Sequence, residues 1–226
     1  MNEAPPSKYS SELLRYGIFI AVAAIAVLFM WFGMDTLEQY LKPEDQAANL
    51  KTGTLLPTPK PLKAINLIDQ DNKPLTIESF KGQWTFLAIG YTACPDVCPT
   101  LMATFRFIDQ ILRSKGITSN VNFIFVSVDP ERDKPENIGR YVHSFNPKFI
   151  GATGEPLALR TLTSQLGLMY QKATGQNSAM GYLIDHSASI VLIDPNGSWK
   201  AVFTPPHDPD TVAFDFMTIK AQYPTL

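Results

Sequence analysis

Trp84-Thr85-Phe86-Leu87-Ala88-Ile89-Gly90-Tyr91 leads through Thr92-Ala93 into Cys94-Pro95-Asp96-Val97-Cys98-Pro99-Thr100, after which Leu101, Phe105, Ile108 and Leu112 recur at helical spacing. The near-continuous apolar run bounded by Gly82 and Gly90 predicts a strand covered on both faces. Pro99 lies in the first turn of the helix that follows, and Gly116 stops it. The only two cysteines of the chain therefore sit where a buried strand gives way to a helix N-terminus, whose positive end favours thiolate over thiol.

Outward from this unit the pattern repeats. Val121 to Val128 reads as a second buried strand, Pro135 opens a helix to about Phe145, Phe149 to Ala152 is a short strand candidate, and Pro156 to Leu166 is another helix. Strand alternating with helix argues for an α/β layered domain. Upstream, Ala64 to Ile68 alternates apolar and polar residues, Asp69 to Lys73 supplies turn residues, and Leu75 to Phe80 resumes, which predicts a hairpin. Downstream, Ser189–Asp194 and Lys200–Phe203 flank Pro195-Asn196-Gly197-Ser198, where Asn-Gly supplies the positive φ angles of a tight turn. A helix from about Asp210 to Ala221 closes the chain. An N-terminal hairpin, a strand–helix–strand crossover, and a terminal hairpin with a helix outline a thioredoxin-like fold, a central mixed sheet flanked by helices.

Ahead of this domain, Gly17 to Met34 carries no charge and is almost wholly apolar. At ~1.5 Å per residue it reaches roughly 27 Å, enough to cross a bilayer. A cleaved signal is the competing reading, with Lys8 and Arg15 as its positive region, but its apolar run is typically only about 7 to 15 residues. No small-x-small cleavage site follows Phe32. The expected organisation is a cytoplasmic tail (1–16), one transmembrane helix (17–34), a linker (35–61) and the thioredoxin-like domain (62–226). The linker reading rests on Pro57, Pro59 and Pro61 at alternate positions, which favour extended backbone. The simplest topology exports the large domain, and a tail without the Arg- and Ser-rich character of a transit peptide favours the bacterial inner membrane, with the domain facing the periplasm. A net charge of −2 and no Lys/Arg cluster argue against a nucleic-acid partner.

A purely structural disulfide between Cys94 and Cys98 would close a five-residue loop and constrain the unfolded chain by only about 2 kcal/mol. Thioredoxin-type redox enzymes place two residues between their cysteines; here there are three, Pro95, Asp96 and Val97. That spacing lets both sulfurs converge on one ion, and thiolates select soft ions such as Cu(I). Of the three histidines, His143 reads as a helix-surface residue and His207 as a loop or helix-start residue, while local pattern leaves His186 undecided.

Gly90 to Thr100 closely resembles the signature of the Sco (SenC-like) proteins, thioredoxin-fold copper chaperones of cytochrome c oxidase assembly. Ser127-Val128-Asp129-Pro130-Glu131-Arg132-Asp133 is similar to the family's second block and Asp185-His186-Ser187 to its third, so the resemblance spans about Leu62 to Tyr223. It implies that Cys94, Cys98 and His186 bind one copper ion, Cu(I) or Cu(II), and that the acceptor is the binuclear copper site of cytochrome c oxidase subunit II, with an upstream periplasmic donor. Many relatives have another residue where Ala93 stands, a position that is not a ligand.

Asp96, between the sulfurs, and Asp129, ending a strand beside them, are candidates to orient His186 or the thiolates from outside the ligand set; capping the turn at Pro130 is an equally good role for Asp129. Met102 and Met180 are soft thioethers that read more simply as packing. Gly175 to Gly181 reads as a mobile loop leading to His186, expected to carry that ligand on or off the metal. Ligand exchange rather than enzymatic turnover is the expected task. The other readings are a thiol-disulfide oxidoreductase with Cys94 and Cys98 as its redox pair, a peroxide-reducing or redox-sensing thiol protein, and a zinc site with the same three ligands.

Overall fold

The computed structural model describes residues 17, 18, 20–30, 50–178 and 181–223, the side chains of 174–180 excepted. Its elements in chain order are β1 (Gly53–Pro61), β2 (Leu67–Asp69), β3 (Pro74–Leu75), β4 (Trp84–Gly90), α1 (Val97–Ser114), β5 (Val121–Ser127), α2 (Pro135–Phe145), β6 (Ile150–Thr153), α3 (Pro156–Gln165), β7 (Tyr170–Ser178), β8 (Gly181–His186), β9 (Ile190–Ile193), β10 (Ser198–Phe203) and α4 (Pro209–Ala221).

Among the described residues, eight strands form one mixed sheet in the order β1-β10-β9-β4-β5-β6-β2-β3. The parallel pairs are β4 with β5 and β5 with β6, the two that helical crossovers join, while β9 runs antiparallel to β4. All seven residues of β4 are buried, as a strand covered on both faces requires. Phe86 shows what covers one face: its ring meets Phe105 of α1, Phe123 of β5, Phe203 of β10 and Phe216 of α4 with centroids 5.0 to 6.5 Å apart. Burying rings of this size supplies much of the apolar driving force, roughly 25 cal/mol per Å².

The hairpin expected at 64–80 is present in part as β2 and β3, which pair antiparallel and join the sheet edge through β6, whereas Ile77–Phe80 is a turn of 3-10 helix that buries Phe80. The terminal hairpin pairs β9 with β10. Its turn differs from the expected one: Gly197 has φ +77, but Asn196 is not among the residues with positive φ. The Asp194 carboxylate instead accepts from the N–H groups of Asn196 and Ser198 at 2.9 Å, tying a three-residue loop that needs left-handed backbone only at its glycine.

Two expectations are corrected. Gly53–Pro61, assigned to the linker, is a strand paired with β10 and so belongs to the domain. Buried Asp215 of α4 fastens its start, accepting from the backbone N–H groups of Lys51, Thr52 and Gly53 at 2.7 to 2.8 Å. The alternating prolines did favour extended backbone; tertiary contacts turned it into a sheet edge. Second, the described part of the expected 175–181 loop is strand: β7 continues to Ser178, β8 begins at Gly181, and Asn177 pairs with Tyr182, while positions 179 and 180 lie outside the described residues.

Residues 17, 18 and 20–30 are helical with exposed side chains. Among the described residues no helix is long and apolar enough to cross a membrane. Positions 19 and 31–34 of the expected span lie outside the described residues, as do the tail 1–16, positions 35–49 of the linker, and Met180.

Candidate metal centre

The loop from Tyr91 to Asp96 connects β4 to α1 and delivers both cysteines to one place. Cys94 is half-buried in the loop, and Cys98, 1% exposed, lies in the first turn of α1. Gly90 makes the approach possible, because a Cβ there would lie 2.6 Å from Cys98 Sγ and 2.7 Å from the Phe125 ring. Cys94 Sγ acts as a cap on the helix, accepting from the Cys98 N–H at 3.5 Å. His186 arrives from the far end of the chain on the last residue of β8, and its Nε2 lies 3.2 Å from Cys98 Sγ. The two sulfurs and one imidazole nitrogen all fall within 4.8 Å of one another.

The ring orientation of His186 follows from its own backbone. Nδ1 lies 3.1 Å from the Ser187 carbonyl oxygen, which can only accept, so Nδ1 carries the hydrogen and the Nε2 lone pair faces the sulfurs. The Tyr91 ring stands edge-on to the imidazole, centroids 5.9 Å apart at 89°. The Cys98 thiol hydrogen bonds to Cys94 and pulls the latter's pKa down to about 3, with the backbone N–H groups of Asp96 and Cys98 helping against the opposing effect of burial. The same bond, and then burial, push Cys98 up. At neutral pH the pair is thus one thiolate, at Cys94, and one thiol.

A cavity of about 260 Å³ opens onto this cluster between Cys94, Pro95 and Val97 on one side and Leu183, Asp185 and His186 on the other. A larger hollow of about 980 Å³ on the other flank of His186, beside Met169 and Arg160, touches neither cysteine, so the smaller one is the entry path. The donor set is soft, two sulfurs and an imidazole with no carboxylate among them, which fits Cu(I) better than a hard cation.

A family model described as SCO1/SenC matches residues 59–220. This chain belongs to the SCO1/SenC family. It is 31% identical over 182 residues to a SCO2-like protein of Rickettsia typhi, which covers 80% of this chain and 87% of that protein. Its fold is similar to that of Arabidopsis thaliana ScoI with copper bound, with a TM-score of 0.66 and 31% identity over 71% of this chain and 98% of that one. Bradyrhizobium japonicum ScoI with copper bound gives a TM-score of 0.61 and 32% identity over 70% and 98%.

The remaining expectations divide. His143 is exposed on α2 and joins no ligand cluster among the described residues. His207 likewise stays outside the cluster, but its Nε2 lies 2.7 Å from the Ala188 carbonyl oxygen, so it fastens the chain two residues beyond His186. Met102 is fully buried core. Asp96 is the N-cap residue of α1 without a side-chain cap bond, and it serves Cys94 through its backbone N–H. Asp129 does not reach His186 or the sulfurs: it pairs with Arg132 at 2.5 Å and accepts from the Tyr182 hydroxyl at 2.6 Å.

Three contributors were not singled out from sequence. Buried Asp133 accepts from Thr92 N at 2.8 Å and from the hydroxyls of Thr92 and Ser127 at 2.5 Å each, pinning the loop just ahead of Cys94. Ser187 is bonded both ways to Met169 at 2.9 Å, closing the base of the β7–β8 ribbon beside His186. Tyr182 is the third; burial and then Asp129 push its phenol pKa up, so it remains a donor. Asp133 lies inside a block already quoted, but no sequence pattern distinguishes an acid aimed inward from one in water.

Proposed function

We propose that this protein binds one copper ion through Cys94, Cys98 and His186 and hands it to the binuclear copper site of cytochrome c oxidase subunit II. The observation that carries the reading is the convergence of two sulfurs and an imidazole nitrogen within 4.8 Å beneath an open cavity. Family membership and similarity to two copper-bound ScoI structures support copper over zinc. Exchange needs no turnover: Cys94, half-buried and already thiolate, and His186 both face the cavity where an acceptor reaches them, while buried Cys98 holds from behind. In this reading the apolar stretch 17–34 anchors the chain in a bacterial inner membrane with the domain in the periplasm. Anchoring raises the concentration of donor near a membrane-bound acceptor. An upstream periplasmic donor loads the site.

The test is copper stoichiometry and Cu(I) affinity of the reduced full-length chain, in competition with a chelator, against Cys94→Ala, Cys98→Ala and His186→Ala. One ion per chain, weakened by each substitution, supports the site; a reduced parent that binds no copper ends the proposal.

The depressed Cys94 thiol favours one second reading, a thiol-disulfide oxidoreductase. There the Cys94 thiolate attacks a partner disulfide and releases one partner thiolate. Cys98, losing its proton, then displaces the second, leaving a Cys94–Cys98 disulfide and a dithiol partner. This chemistry needs the cysteines and not His186, so His186→Ala separates the two: copper binding falls while thiol exchange persists.

A further inference from the structure

His186 is held on an element that is not part of the main sheet. β7 and β8 pair with each other in a two-stranded ribbon outside the eight-stranded sheet, so no ladder of backbone bonds to that sheet fixes where His186 stands. Side chains must do it. Tyr182, Ile184 and His186 alternate along β8 and therefore share a face, and Ile184 is buried, so that face is turned inward.

Opposite it lies the loop that follows β5. The Tyr182 hydroxyl donates to Asp129 Oδ1 at 2.6 Å, and the Arg132 guanidinium, paired with Asp129, lies 3.7 Å from the Tyr182 ring centroid. Arg132 also lies 5.4 Å from the centroid of Tyr91, whose ring stands edge-on to His186. The chain His186–Tyr91–Arg132–Tyr182 thus returns to the strand that carries the histidine. The same loop holds the other half of the centre through Asp133 and Thr92. Lys172 pairs with Glu131 at 2.7 Å and lies 4.3 Å from the Tyr182 ring centroid, and Glu131 also accepts from the Tyr182 hydroxyl at 3.2 Å, but Lys172 and Glu131 are exposed and their contacts add little.

We propose that Tyr182, gripped by Asp129 and Arg132, is the positioning residue that holds His186 against Cys94 and Cys98, so that the 129–133 loop sets the distance between the two halves of the metal site. The proposal rests on the copper reading above. In this role the loop after β5 touches no metal; it clamps the cysteine loop with one acid and the histidine ribbon with another.

The test uses the reduced full-length chain and four variants: Tyr182→Phe, which keeps the ring and removes the hydroxyl, Asp129→Asn, Lys172→Met and His186→Ala. Tyr182→Phe and Asp129→Asn should each weaken Cu(I) binding about tenfold, the usual scale for a residue that orients a ligand. Their double variant should lose less than the sum of the two, because the Tyr182–Asp129 bond is common to both, while the Arg132 pair and the Glu131 contact are each lost in only one. Lys172→Met should match the parent. In a His186→Ala background Tyr182→Phe should cost nothing further. The chain has 3 histidines, so ring NMR signals of the metal-free protein give a readout independent of copper. The signal missing in His186→Ala should shift or broaden in Tyr182→Phe while that of His143 stays put.

Parent-like affinity and an unmoved His186 signal in both Tyr182→Phe and Asp129→Asn would overturn the clamp. An equal loss from Tyr182→Phe with and without His186 would also overturn it, by revealing general destabilisation. Failure of the copper reading looks different: the parent itself would bind no copper or His186→Ala would bind as tightly, and the NMR arm alone would then decide whether Tyr182 positions His186.

Discussion

Replacing Asp133 by alanine strips a buried acceptor from three donors at once: Thr92 N at 2.8 Å and the hydroxyls of Thr92 and Ser127 at 2.5 Å. Ser127 is fully buried and finds no water, so its orphaned hydroxyl costs about 1–3 kcal/mol. Thr92 is only half-buried and recovers part of its loss, leaving roughly 1 kcal/mol for each of its two bonds. The total is about 3–5 kcal/mol, and for a domain of this size it lowers Tm by about 10 °C. Asparagine is milder, because its oxygen can serve Thr92 N and Ser127 while the Thr92 hydroxyl turns to accept from the amide; about 1–2 kcal/mol is expected for loss of the charge. The assay is thermal melting of the reduced, metal-free chain followed by Cu(I) affinity, with Asp133→Ala below Asp133→Asn below parent in both. An Asp133→Ala protein melting within about 2 °C of the parent would show that the acid is not the pin that this network makes it.

Gly90→Ala forces a methyl toward Cys98 Sγ and Phe125, and should cost about 2 kcal/mol while weakening copper binding; melting and chelator competition together check it, and unchanged copper affinity counts against the close approach. Because Cys94 is held at about 3, it is already thiolate through the range from pH 5 to pH 8, so its alkylation rate should be nearly flat there, whereas an ordinary thiol accelerates about tenfold per pH unit. Cys98→Ala removes the main stabilising hydrogen bond and should restore a rate that climbs with pH. A chain cut to begin at Leu62 loses β1 and every partner of the buried Asp215 carboxylate, and should melt lower and aggregate along the bared β10 edge, while one beginning at Ala47 should not; light scattering during heating distinguishes them.

Strand β4, helix α1, strand β5 and helix α2 stand almost where periodicity puts them, because each is a long apolar pattern closed by Pro or Gly, and burial in the tertiary structure reinforces the same local preference. The β7–β8 ribbon was missed for the opposite reason. Tyr170-Gln171-Lys172-Ala173-Thr174-Gly175-Gln176-Asn177-Ser178 is polar with no alternation, and it becomes a strand through its pairing with β8, which Tyr182 ties to the loop after β5. His186 was legible by resemblance and not by pattern, since its own neighbourhood says nothing about the cysteines 88 positions before it.

By itself the sequence determined the α/β class, the placement of both cysteines at a strand-to-helix junction, and the family to which those motifs belong. Tertiary structure alone decided that Gly53–Pro61 is an edge strand, that Asp129 serves Tyr182 instead of the metal ligands, and which thiol ionises. The division has a physical cause: periodicity and capping act within a few residues and are written in consecutive letters, whereas a buried carboxylate or a thiol pKa is set by whatever the fold brings within about 4 Å, regardless of how far along the chain it lies.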